Sequence, residues 1–111
     1  MQRGEIFRLR APRGTRGHEQ SGQRYGVVLQ ADELLSLSTV IIAPTSTRAR
    51  PASFRPEVEI EGQRTRVLVE QLGAVDPSRL GDSHGLLAFG ELREVDRALA
   101  VVVGLGNGLL R

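Results

Sequence analysis

The chain has 111 residues, enough for one domain with its own core, and its 40% hydrophobic and 25% charged residues are ordinary for a soluble globular protein. No run of about 18 apolar residues offers a membrane span, and MQRGEIFRLR lacks the apolar stretch of a secretory signal, so a cytoplasmic protein is expected. With no cysteine and two isolated histidines, His18 and His84, neither a disulfide frame nor a thiolate or histidine metal site is expected, and the net +2 is carried entirely by arginine.

Residues 4–10 alternate with period two and predict a first strand. Residues 11–23 are rich in Gly, Pro and Arg and read as a long loop, of the kind that in a compact domain is functional or disordered. Residues 25–30 form a near-continuous apolar run, the signature of a strand buried on both faces. One or two helical turns follow over 32–37. Residues 39–43, dominated by β-branched side chains, predict another buried strand that runs through Pro44 into Thr45, Ser46 and Thr47. Residues 45–55 form a second loop, closed by Pro51 and Pro56. Residues 57–61 alternate strictly with Val58 and Ile60 inward. With a turn at Gly62-Gln63 and a returning strand over 65–71, they predict a hairpin. Asp76 is placed to cap a single helical turn opened by Pro77. His84 falls in a polar turn with no assigned role. Residues 91–103 form the one substantial helix, with Leu92, Val95, Leu99 and Val102 on its inner stripe and Gly104 and Gly106 stopping it. Five short strands and a terminal helix predict a small, strongly twisted barrel or half-barrel.

Charge is uneven along the chain. Residues 1–25 carry six arginines against Glu5 and Glu19, a local +4, whereas residues 67–111 carry four arginines against six acids. The positive end coincides with the first loop, which suits a polyanion. Arg24 would start one strand and the Thr45–Thr47 hydroxyls would end the next. If those strands are antiparallel neighbours, Arg24 and the hydroxyls share one end of the sheet. A guanidinium facing hydroxyls can hold a phosphate. The plainer readings are a salt bridge from Arg24 to Glu19 or Glu70, and Ser46 as a turn-capping hydroxyl.

Five segments in register resemble the MazF/PemK toxins of bacterial toxin–antitoxin pairs. Arg3-Gly4-Glu5-Ile6-Phe7 is similar to an RGEIW-like opening strand. Gly17 to Val28 is similar to the family's GSEQxGxRPVVV-like stretch, and Ala43-Pro44-Thr45-Ser46-Thr47 to its strand end. Leu68 to Leu80 matches a later stretch built on Glu70-Gln71 and Asp76, and Val95-Asp96-Arg97-Ala98-Leu99 matches the closing helix. The resemblance implies an SH3-like, CcdB/PemK-like barrel with a terminal helix, working as a homodimer. It also implies metal-independent cleavage of single-stranded RNA to a cyclic phosphate and a 5′-hydroxyl, without a cofactor. Restraint by an acidic antitoxin that covers the RNA groove is implied as well.

Carried onto this sequence, the resemblance implies Arg24 and Ser46 as catalytic. Glu19, Gln20, Thr45, Thr47, Phe54, Arg55, Glu70 and Gln71 are implied as RNA-binding. Serine stands where the family carries threonine, keeping the hydroxyl. Tyr25 replaces the usual proline, Gly73 a common arginine, and Ala88-Phe89-Gly90 makes a poor helix cap. His18 has a side chain suited to proton transfer near neutrality, but relatives carry small residues there, so it reads as a solvated loop residue. Phe54 offers a base-stacking face, or plugs the core edge. Glu70 and Gln71 offer base edges hydrogen bonds, or anchor the first loop. The alternatives in function are a non-catalytic CcdB-like module and a generic nucleic-acid-binding domain on the same fold.

Overall fold

The computed structural model describes residues 1–11 and 24–106. Most of the first loop, with His18, Glu19 and Gln20, lies outside the described residues, as does the end of the tail. Seven strands are present among the described residues: β1 (Glu5–Leu9), β2 (Tyr25–Val28), β3 (Val40–Ser46), β4 (Glu57–Ile60), β5 (Gln63–Val67), β6 (Gly73–Val75) and β7 (Leu80–Leu86). One helix, α1 (Phe89–Val102), follows them. The sheet runs β4-β5-β3-β2-β1-β7, with β6 also on β3, and these neighbours pair antiparallel.

β3 organises the sheet because it changes partners along its length. Val40–Ile42 pair with β6, Ile42–Pro44 with β2, and Thr45–Ser46 with β5. Pro44, with no N–H to donate, stands at the changeover, and its carbonyl accepts from Leu68 N–H at 2.8 Å. With these changes of partner the sheet forms a half-barrel.

Side chains alternate between two apolar layers, as strand geometry requires. Val27, Leu29, Ala43, Val58 and Val67 join the main core, which α1 covers through Val95 and Ala98, with Leu92, Leu99 and Val102 beside them. Val28, Val40 and Ile42 face the other way, into a smaller cluster with Leu80, Phe7 and Leu9. Burial on both faces accounts for the unbroken apolar runs of β2 and β3. The N-terminal segment is clamped to α1. Arg3 Nη2 lies 2.7 Å from Asp96 Oδ1, and Arg3 Nε donates to Leu29 O at 2.7 Å. Gly4 has φ +86°, and a Cβ there would meet Leu92 Cδ2 at 3.1 Å, so the position needs glycine for both conformation and space.

Several expectations are corrected. The hairpin turn is Glu61-Gly62, both at positive φ as in a type I′ turn, and the strand returns at Gln63. It ends at Val67, and Val69–Gln71 is a 3₁₀ turn rather than strand. β6 and β7 were not expected, so the sheet has seven strands, not five. The helical turns expected over 32–37 reduce to one 3₁₀ turn, Asp32–Leu34. Asp76 caps its turn as expected, accepting from Ser78 N–H at 2.8 Å. The poor cap of α1 is compensated by Glu91, whose carboxylate accepts from Ala88 N–H and from Glu59 N–H, each at 2.9 Å.

Candidate functional site

β2 and β3 are antiparallel neighbours, with Gly26 opposite Pro44, Val27 opposite Ala43 and Val28 opposite Ile42. Continuing that register outward sets Tyr25 against Thr45 and Arg24 against Ser46. A Cβ at Gly26 would meet Leu9 and Ile42, so the even-numbered positions of β2 face the smaller apolar layer. Two residues further out, Arg24 shares that side by period two. Ser46 shares it too, being in step with Ile42 and Pro44. The guanidinium and this hydroxyl therefore belong to one face and one end of the sheet.

Thr45 points the other way. It is 5% exposed, and its Oγ1 donates to Tyr25 O at 3.2 Å, tying β3 to the residue after Arg24. Its hydroxyl is spent inside the fold. Ser46 is half-buried, and its Oγ accepts from Arg48 N–H at 3.1 Å, so it does cap a turn. That bond occupies one lone pair and leaves the hydroxyl proton free to donate. Thr47 is exposed beside it.

Arg24 is exposed and enters no salt bridge among the described residues. Its backbone carbonyl accepts from Leu9 N–H at 2.8 Å, which fixes the strand end. Glu70, one of the two carboxylates considered for it, is held elsewhere. Arg55 Nε and Nη2 donate to Glu70 Oε2 at 2.9 and 2.7 Å, and Arg55 Nη1 donates to Arg50 O at 3.2 Å. This pair fastens the second loop, not the first, to the 3₁₀ turn after β5. The Arg55 guanidinium holds the Glu70 carboxyl below the usual carboxylate range. Glu70 Oε1 is buried without a hydrogen-bond partner among the described residues. Phe54 packs on the main core, with the Arg55 guanidinium 5.5 Å from its ring centroid. Phe54 therefore packs on the main-core side of the sheet, opposite the side of Gly26 and Ile42. Gln71 is exposed at the end of the 3₁₀ turn.

His84 is not in a turn. It lies on β7, with Nδ1 2.7 Å from Glu61 Oε2 and its ring 5.0 Å from that of Tyr25, edge to face. It thus bridges the β7 edge to the β4–β5 turn. β7 reads LGDSHGL, with neither apolar alternation nor β-branched residues, so no local signal marks it as a strand. Among the described residues no three potential metal-ligating side chains converge.

The chain is thus a half-barrel sheet closed by a C-terminal helix, with an arginine outside any described ion pair at one sheet end. Residues 2–103 match the family model of the PemK-like, MazF-like toxins of type II toxin–antitoxin systems, and the chain belongs to that family. It is 39% identical over 104 residues to a candidate toxin of Mycobacterium tuberculosis, covering 93% of this chain and 97% of that one. It superimposes on an endoribonuclease in complex with its cognate antitoxin from a Mycobacterial species with a TM-score of 0.78 at 16% identity, covering 96% and 98% of the two chains. A MazE–MazF complex from Deinococcus radiodurans gives a TM-score of 0.72 at 25% identity over 96% and 97%.

Proposed function

We propose that this toxin is a metal-independent, sequence-selective endoribonuclease that cleaves single-stranded RNA as a cytoplasmic homodimer and is neutralised by an acidic antitoxin. The observation that carries the reading is the antiparallel β2–β3 register, Gly26 opposite Pro44, which continued by two residues sets Arg24 opposite Ser46, with no described carboxylate within ion-pair distance of Arg24. The likeness to an endoribonuclease held by its antitoxin supports it.

In the proposed reaction the RNA's own 2′-oxygen attacks phosphorus and the bond to the 5′-oxygen breaks. A cyclic phosphate and a 5′-hydroxyl result. The 2′-proton leaves to a base, and a proton is delivered to the departing 5′-oxygen. Negative charge grows on the two non-bridging oxygens. The Arg24 fork matches those two oxygens and carries the charge-stabilising role. Its delocalised guanidinium keeps its proton in water, which makes it a poor base. Ser46 donates its hydroxyl proton to the same phosphate from the neighbouring strand. Glu70, Gln71 and Thr47, with Glu19 and Gln20 of the first loop, supply the polar contacts to bases.

The test is to incubate the purified protein with a long RNA in EDTA and map the ends. Cyclic phosphate and 5′-hydroxyl termini at a recurring short sequence are expected. Arg24→Ala should lower the rate by roughly 10²–10³-fold. Arg24→Lys should be severely impaired, since a point charge does not replace the bidentate fork. Binding without cleavage, unaffected by Arg24→Lys, would instead identify a nucleic-acid-binding module.

A further inference from the structure

The path of paired strands runs from β4 to β7, so these two strands are its ends. A side-chain contact joins them. Glu61, the first residue after β4, brings Oε2 to 2.7 Å from Nδ1 of His84 on β7. An ionised carboxylate only accepts, so Nδ1 is the donor. The His84 ring also stands edge to face with Tyr25 of β2, the centroids 5.0 Å apart and the planes at 77°. One imidazole thus touches the middle of the sheet and the turn beyond its far end.

Irregular backbone delivers both partners. Glu61 is the one non-glycine residue at positive φ among the described residues, at +53°. It holds the first central position of the type I′ turn, where Asn, Asp and Gly are favoured and a longer side chain is strained. On the other strand, β1 passes Ile6 alone between Phe7 and Glu5, whereas β7 passes both His84 and Gly85 between Ser83 and Leu86. His84 therefore sits in a bulge, with Gly85 beside it at φ +94°. A bulge of this kind re-aims a side chain. The turn and the strand each give up regularity at the residue that makes this contact, which marks the contact as more than a by-product of hairpin formation.

We propose that Glu61 and His84 are positioning residues for the cleavage reaction: their bond fastens the two ends of the sheet against Tyr25 and, through Tyr25, fixes the strand end that carries Arg24. The proposal rests on the ribonuclease reading above. Tyr25 follows Arg24 directly in the chain. It lies opposite Arg8 on β1, packs against the main core, and its carbonyl accepts from Thr45 Oγ1 at 3.2 Å. His84 adds a contact to its ring. Arg24 itself is tied by Leu9 N–H, which donates to its carbonyl at 2.8 Å. A guanidinium fork stabilises growing charge only when it is held in place before the reaction, and a misplacement of about 1 Å costs roughly 10²-fold in rate. Neither Glu61 nor His84 has to touch RNA to act in this way.

The test is Glu61→Asn, which supplies a residue favoured at that turn position, so the hairpin keeps its fold, but draws the side chain back from His84 by a methylene. Amide hydrogen exchange compares two bonds, Leu9 N–H to Arg24 O at the strand end and Leu29 N–H to Ile41 O, 2.9 Å, beyond the other end of β2. Leu9 should exchange roughly ten-fold faster in the variant, with Leu29 unchanged. The kcat for cleavage of a mapped RNA should fall roughly ten-fold with KM close to native, because the loss falls on the transition state. Glu61→Gln, which keeps the length and an acceptor oxygen, should recover most of the rate lost by Glu61→Asn. His84→Phe, which keeps an aromatic edge for Tyr25 and removes the donor, should match Glu61→Asn, and the two together should lose no more than either alone. Native kcat for Glu61→Asn, in a protein that cleaves RNA, overturns the positioning role and spares the ribonuclease reading. Equal acceleration of both amides also overturns it, since the contact would then add only stability. A native chain that cleaves no RNA removes the ribonuclease reading, and the Leu9 amide then decides by itself whether the contact fixes the strand end.

Discussion

Thr45 and Ser46 are neighbours on β3 with the same functional group and opposite roles in the fold. Period two sends the first hydroxyl inward, where it holds Tyr25 O, and leaves the second on the face shared with Arg24. Their variants should therefore fail in different assays. Ser46→Ala should lower cleavage by roughly 10²-fold, the loss of one preorganised donor, with little change in melting temperature. Thr45→Val should cost about 1–2 kcal/mol of stability through the missing buried hydrogen bond, and keep more activity than Ser46→Ala. Rate measurements beside thermal melts of the two variants check this. The opposite pattern would move the working hydroxyl to Thr45.

Among the elements, β2 and β3 were the most legible. Their apolar runs, Pro44 and the hydroxyl triplet together marked both strands and the end they share, because burial on two faces leaves a local trace. The helix was legible from its stripe, and its cap was not, since Glu91 satisfies it from the third helical position and reaches across to β4. β7 was silent for a different reason. It is an edge strand rich in Gly and polar residues, held by its partner β1 and by the His84–Glu61 contact rather than by its own propensity. The hydrogen bonds between Arg10 and Arg79, Arg10 N–H to Arg79 O and Arg79 Nε to Arg10 O, were equally hidden, because these residues are 69 apart in sequence. The Glu70–Arg55 pair was not legible, because it depends on how the second loop folds back.

Two further expectations belong to this level. Gly26→Val would drive side-chain atoms into Leu9 and Ile42, whose carbons already lie 3.0–3.2 Å from the position a Cβ would take. Overpacking of this kind costs about 1–3 kcal/mol. Denaturant unfolding should show the loss, and cleavage should fall because Arg24 is two residues away. The Arg55–Glu70 pair should give the second loop an acid-sensitive fastening. Glu70's folded pKa is depressed by Arg55, so its contribution is full above the unfolded carboxylate value and is lost as pH falls through the folded one. The melting-temperature gap between the native chain and Glu70→Gln should therefore be open at pH 7 and close toward pH 3. A gap independent of pH would mean the pair adds nothing electrostatic.

At the scale of the molecule, the proposed acidic, apolar antitoxin segment needs both cationic and apolar contacts. Residues 1–25 carry a local +4, and Arg10, Arg24 and Arg79 enter no salt bridge with a described residue. Phe89, 78% exposed, lies beside Arg93, whose guanidinium is 5.8 Å from the ring centroid, so an apolar and a cationic contact are offered together. An RNA and an acidic peptide would compete for the same guanidinium groups, because both are anionic and repel one another at a shared site. Expression of this chain alone should arrest growth, and co-expression of a short neighbouring reading frame should relieve it. Binding of that partner should weaken as salt rises, since exposed charges contribute. The decisive measurement titrates the partner into two assays in parallel, cleavage of a mapped RNA and binding of its non-cleavable form. Both signals should fall together at the same partner concentration. If cleavage stops while RNA stays bound at full affinity, competition for the arginines is excluded, and the antitoxin must act on Arg24 and Ser46 with the RNA in place.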